Sequence, residues 1–192
     1  MTSRERVKTA LAGSKPDRVP VGPFLGYAAA PAIGASLRSY YTDGTTIARA
    51  QDAFRRETGH DILVTAADTH YISEAFGMQT VHHENALPTA VCPLLTDLEQ
   101  VKSLSVPDPE TDGRMPVYIT ALEEMRSLSG EDVALRGTGT GPFSLAAYMF
   151  GEANFLMILA ELQSGERGDH DSHLVHTLLN ITADTTIAFL ET

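Results

Sequence analysis

The stretch "ALRGTGTGPFSLAAYMFGE", residues 134–152, places three glycines at every second position between two apolar runs, the second of which carries a tyrosine. A dinucleotide fingerprint would need glycine at the first, third and sixth positions. Counted from Gly137, the sixth position is Pro142. No Gly-Lys-Ser/Thr follows, so the phosphate-loop pattern fails too. Pro142 suits the first turn of a helix. The glycines either shape a turn or let a ligand approach the backbone closely. "EDVALRGTGTGPF" thus reads as a strand, a glycine exit and a helix start.

The same order recurs upstream. "HDILVTAAD" has four apolar residues in five and ends on a carboxylate, Asp68. "RVPVGPFLG" is a short β-branched run broken by Pro23. Helical spacing lies between these runs. Thr2 and Glu5 have capping-box spacing, with Val7, Ala10 and Leu11 on one face. Ile47, Ala50 and Phe54 form a second stripe, and Tyr118, Ala121, Leu122, Met125 and Leu128 a third. "YISEAFG" reads as a short helix, and "MQTVHHEN" and "TAVCPLLT" as irregular strands. Thr96 with Glu99 predicts another capping box, and Leu174, Leu178, Ile181, Thr185 and Phe189 a last helix.

Strands near 19–21, 61–65 and 133–136 joined through helices imply parallel crossovers, with Asp68 and residues 137–141 at one common end. The fold class is therefore α/β, either an open sheet or part of a (β/α)8 barrel. A full barrel needs about 250 residues, whereas this chain has 192. The expectation is one domain over residues 1–192, cut short at its C-terminus. Its unpaired strand edges predict self-association.

Fourteen basic residues against 25 acidic ones give a net charge of −11, with no basic run. That argues against nucleic-acid binding. No apolar stretch is long enough for a membrane span, and "MTSRERVK" lacks a signal-peptide core. Cys92 stands alone, allows no internal disulfide and fits a reducing cytoplasm. It is expected as buried packing.

Asp68 is either the cap of the next helix or a carboxylate at the mouth of a parallel sheet. Tyr148 taken alone is a core tyrosine. His170, His173 and His176 are spaced three apart, but Asp171 and Ser172 read as a helix cap, and no Cys/His set has zinc-ligand spacing. No metal site is expected in this chain.

"TSRERVKTALAGSKPDRVPV", "SEAFGMQTV", "LEQVKSLSVPDPETDGRMP" and "GTGTGPFSLAAYMFGE", in this order, resemble the N-terminal half of the uroporphyrinogen decarboxylase superfamily. That superfamily comprises α/β barrels, including the tetrapyrrole decarboxylase and the cobamide-dependent methyltransferases. The resemblance implies that Asp68, eight residues before the Phe of "SEAFGM", is the aspartate that binds pyrrole N–H groups. It implies that Tyr148 lines the same cleft. Gly137, Gly139, Gly141, Phe143 and Phe24 are the implied ligand-binding positions.

The decarboxylase carries a Met-Arg-Gln-Ala-Gly-Arg-Tyr-like segment after its first strand, whose arginines pair with substrate carboxylates. Here the corresponding stretch is "FLGYAAAP". The resemblance thus favours a methyltransferase moving a methyl group from a methylated corrinoid, carried on a corrinoid protein, to a thiol. Zinc and cobamide are the cofactors implied for the full-length enzyme. The zinc ligands, a His-x-Cys and a later Cys, belong to the C-terminal half. The alternatives are tetrapyrrole decarboxylation in haem biosynthesis and a non-catalytic tetrapyrrole-binding module.

Overall fold

A computed structural model describes residues 1–24, 26–65 and 68–192. Leu25 of "FLGYAAAP" and Ala66 and Ala67 of the expected second strand lie outside the described residues. In chain order the regular elements begin with α1 (Ser3–Leu11), a 3-10 helix (Gly26–Ile33), α2 (Leu37–Thr42), α3 (Gly44–Thr58) and β1 (Ile62–Val64). There follow α4 (Tyr71–Ala75), β2 (Thr80–Val81), β3 (Thr89–Ala90) and a second 3-10 helix (Leu98–Ser103). The chain closes with α5 (Met115–Ser129), β4 (Ala134–Arg136), α6 (Pro142–Phe150), α7 (Glu152–Ser164) and α8 (Asp169–Glu191). No single helix among the described residues is long and apolar enough to cross a membrane.

The chain forms two compact units. One comprises Met1–Asp68, His82–Leu87 and Val117–Thr138; the other Thr69–Val81, Pro88–Pro116 and Gly139–Thr192.

The first unit is built on β1 and β4, which pair in parallel with Ile62 opposite Ala134 and Val64 opposite Arg136. The expected strand at 19–21 does not form a ladder. Asp61 N–H donates to the Val21 carbonyl at 2.7 Å, but the Val21 amide turns to the Asp61 carboxylate at 2.8 Å. Pro20 and Pro23 have no amide to offer, so a side chain stands in for the missing ladder partner.

That carboxylate is fully buried. It also accepts from Ser3 Oγ at 3.0 Å, Arg6 Nη1 at 2.6 Å and Arg18 Nη1 at 2.7 Å. α1 has its Thr2–Glu5 capping box, but the residue it buries is Arg6. Val7 and Ala10 are only half-buried and Leu11 is exposed. The helix docks through an ion-pair network rather than an apolar stripe.

α3 is capped by Asp43, which accepts from the Thr45 and Thr46 amides, and ends on Gly59 at φ 71°. Its buried Ile47, Ala48 and Ala50 face the first 3-10 helix. At its start Gly44 lies so close to α5 that a Cβ would meet the Val117 carbonyl and the Ala121 amide nitrogen, the latter at 2.8 Å. Tyr118, Ala121 and Met125 of α5 are buried as expected, whereas Leu128 is exposed.

The second unit is mainly helical. β2 and β3 form a two-residue antiparallel pair, Thr80 opposite Ala90. The capping box expected at Thr96–Glu99 falls one residue later, on Asp97 and Gln100, and opens a 3-10 helix rather than an α-helix. Pro142 occupies the first turn of α6. Gly151, at φ 78°, breaks the following pattern into α6 and α7, whose axes diverge by 106°. α8 buries Leu174, Leu178, Thr185 and Phe189 and packs on α6 and the second 3-10 helix. Its N-cap is Gly168, not the expected Asp171 or Ser172. Cys92 is exposed rather than buried, in the bend that directly follows β3.

Candidate functional site

In the first unit the C-terminal ends of β1 and β4 form a mouth. Beyond the last registered pair, Thr65 N–H donates to the Arg136 carbonyl at 3.3 Å. The Thr65 and Thr138 hydroxyls share a hydrogen bond at 3.2 Å. Asp68 and Gly137 leave this same end of the pair, as the parallel order requires.

The residue at the α4 N-cap position is His70, whose side chain makes no cap bond. Tyr118 of α5 donates its hydroxyl to Asp68 Oδ2 at 3.0 Å. Tyr118 is buried and Asp68 half-buried, so a fixed phenol orients a carboxylate that keeps some access to solvent. Such a group can accept hydrogen bonds from a ligand's N–H groups or stabilise positive charge.

Phe24 is 64% exposed. The guanidinium carbon of Arg136 lies 5.2 Å from its ring centroid, within cation–π range. A Cβ at Gly137 would be in ordinary contact with Leu122 Cδ1, at 3.4 Å.

The remaining expected site residues belong to the second unit. Gly139 packs against Leu190, where a Cβ would come within 3.1 Å. The Thr140 carbonyl accepts from Thr186 Oγ1 at 2.9 Å. These contacts with α8 show the glycine run serving close helix packing here. Gly141 is the N-cap of α6. Phe143 is half exposed and meets Phe155 edge-on at 5.5 Å. Tyr148 is half-buried, and its ring lies edge-on to His70 at 5.7 Å.

The structure thus groups Asp68, Phe24 and Gly137 with Tyr118, Arg136, Thr65 and Thr138 in one unit. Gly139, Gly141, Phe143 and Tyr148 stand with His70 in the other. Sequence reading missed Tyr118, which it placed in the core by periodicity. It missed Arg136 as well, although an arginine closing an otherwise apolar strand is out of pattern. His70, two residues after Asp68, carried no signal of its own.

The strongest electrostatics lie at the other end of β1. Burial works to raise the Asp61 pKa, but the Val21 amide and the Arg18, Ser3 and Arg6 side chains overcome it and hold it at about 2. The Arg6 hydrogen bond, against the opposing effect of burial, likewise lowers Asp17. Burial, helped by Arg55, lowers His60.

Among the described residues no three His, Cys, Asp or Glu side chains come close enough to hold a metal. Cys92 is exposed. His170 is paired with Glu99 at 2.5 Å. The zinc implied for thiol activation finds no fitting donor set here.

The sequence pattern of uroporphyrinogen decarboxylase (URO-D) matches residues 2–192. A uroporphyrinogen decarboxylase from Nitrosomonas europaea is 32% identical over 134 residues, 68% of this chain and 35% of that protein. The methylcobamide:CoM methyltransferase MtbA from Methanosarcina acetivorans is 25% identical over 195 residues, 98% of this chain and 53% of that protein. A solved methyltransferase from Methanosarcina mazei superposes with a TM-score of 0.82 at 23% identity, covering all of this chain and 56% of its own. That last likeness shows the fold alone. The chain spans between about a third and somewhat over half the length of these proteins.

Proposed function

The chain belongs to the uroporphyrinogen decarboxylase (URO-D) family, and we propose that within it this protein serves methyl transfer from a methylated corrinoid to a thiol. The observation that carries the reading is the first 3-10 helix, Gly26–Ile33. Its Ala29 and Ala30 are fully buried and the helix packs on α3. A tetrapyrrole decarboxylase needs arginines in this segment to grip several substrate carboxylates. Alanine methyls offer no donor, and a guanidinium has no room in a packed helix face. Nearly the whole chain also aligns with the methylcobamide:CoM methyltransferase.

In this reading the Asp68 carboxylate, oriented by Tyr118, accepts hydrogen bonds from the amide-rich rim of the corrinoid. Phe24 offers it an apolar face. Methylcobamide would supply the methyl group, presented by a corrinoid-carrying partner. No step is assigned to zinc, for which these residues do not fit.

Tetrapyrrole decarboxylation is the second reading, supported by the 32% identical decarboxylase and by Asp68. Two assays on the purified chain separate them. Titration with methylcobalamin should give saturable binding, weakened about tenfold by Asp68→Asn, the loss typical of a charge-assisted hydrogen bond. Uroporphyrinogen should release no carbon dioxide. Release of carbon dioxide without methylcobalamin binding would reverse the assignment.

A further inference from the structure

The geometry points to Arg136, seated on Phe24, as the anion-recognising residue of the strand mouth, taking one carboxylate or similar oxyanion of an incoming ligand. Arg136 is the last residue of β4, opposite Val64, and its carbonyl is held by the Thr65 amide. The backbone that launches the side chain is therefore fixed by the ladder. Phe24 then fixes the guanidinium from one side, 5.2 Å from the ring centroid. An arginine using its π face on an aromatic ring keeps its planar fork of N–H donors for a bidentate oxyanion.

Its seat on an aromatic ring rather than on a carboxylate sets it apart from most arginines of the chain. This chain has 25 acidic residues for 14 basic ones, and its arginines are generally taken up by them. Arg6 and Arg18 hold Asp61, Arg38 pairs with Glu84, Arg114 with Glu74 and Arg167 with Glu161. Among the described residues Arg136 has no carboxylate partner. It is exposed, it is followed by a glycine where a Cβ would meet only Leu122 Cδ1, at 3.4 Å, and it rests on an aromatic ring that is itself left in solvent. One guanidinium suits one oxyanion. This differs from the several arginines that a polycarboxylate needs in the segment filled here by alanines. The oxyanion can belong to a small thiol acid or to a single side chain of a tetrapyrrole.

The inference goes beyond the methyl-transfer reading and is tested without a corrinoid. The full chain is titrated with 3-mercaptopropionate by calorimetry, and separately with coproporphyrin by its Soret band. The variants are Arg136→Gln, Arg136→Lys and Phe24→Leu. Arg49→Gln removes the same charge from an exposed position on α3 and serves as control. Arg136→Gln should weaken at least one probe about tenfold or more, with Arg136→Lys and Phe24→Leu intermediate and Arg49→Gln changing it by less than about twofold. The probe that loses affinity identifies the source of the oxyanion. A wild-type chain that binds neither probe overturns the proposal. So does an Arg136→Gln variant that binds both as wild type does, or no more weakly than Arg49→Gln. Because neither probe is a corrinoid, this result and the methylcobalamin titration can fail independently.

Discussion

One aspartate precedes β1 and another follows it, and their surroundings are opposite in kind. Asp61, at the N-terminal end, is fully buried and accepts from Ser3, Arg6, Arg18 and the Val21 amide. Asp68, at the C-terminal end, is half-buried and oriented by Tyr118. It shares that end with Arg136, which no carboxylate pairs with among the described residues. In parallel α/β folds the C-terminal ends of strands carry chemistry and the N-terminal ends carry stability. The structural role of Asp61 and the ligand role proposed for Asp68 would divide along that line.

The largest effect on stability is expected at Asp61. Asp61→Asn should destabilise the chain by about 2–3 kcal/mol, since it removes the buried charge that Ser3, Arg6, Arg18 and the Val21 amide donate to, while Asp17 still pairs with Arg6. A shift of the urea midpoint corresponding to under about 1 kcal/mol would mean that the network is ornamental, since that is the worth of an exposed ion pair.

Acid titration sharpens the same point. The folded pKa of Asp61, about 2, lies below its ordinary 3.8. Its stabilisation is therefore full above the ordinary value and is lost as pH falls through the folded one. Asp17, also lowered, acts in the same direction. Thermal melts between about pH 4 and pH 2 should fall steeply for the wild type and less steeply for Asp61→Asn. Equal slopes would remove Asp61 from the acid transition.

At the mouth the effects on stability should be smaller. Tyr118→Phe removes the hydroxyl that donates to Asp68 and should cost about 1 kcal/mol, while weakening methylcobalamin binding by loosening Asp68. Unchanged binding would show that Asp68 needs no orienting phenol. Arg136→Gln should leave stability within about 0.5 kcal/mol of wild type, as for an exposed side chain outside any network. A large loss in its melt would place Arg136 among the structural residues instead.

Part of this was legible in the residues themselves. Two apolar runs, each opening onto a glycine exit or a carboxylate, identified β1 and β4 and their parallel sense. The capping box at Thr2 and the proline at the head of α6 are local signals, and both hold. The Val19–Val21 run misled because β propensity says nothing about amide supply. Two prolines and a competing side chain left too few donors for a ladder. Arg6 was hidden for a related reason, since periodicity scores apolar residues and this helix docks by charge. Phe24 and Arg136 lie more than a hundred positions apart, and no local pattern announces that such a pair will stack. Asp68 was singled out only through the family resemblance, because a carboxylate at a strand end has the same local signature as a helix cap.

The Asp61 network also bears on the order of folding. Its partners, Ser3, Arg6, Arg18 and Val21, lie 40 to 58 positions away in the chain. Closing loops of that length is paid in entropy before any of those bonds forms, so the knot should tighten after the rate-limiting step. In stopped-flow measurements Asp61→Asn would then speed unfolding far more than it slows refolding. The buried carboxylate would act as a late latch that sets the lifetime of the folded first unit. Equal changes in the two rates would place the latch in the folding nucleus.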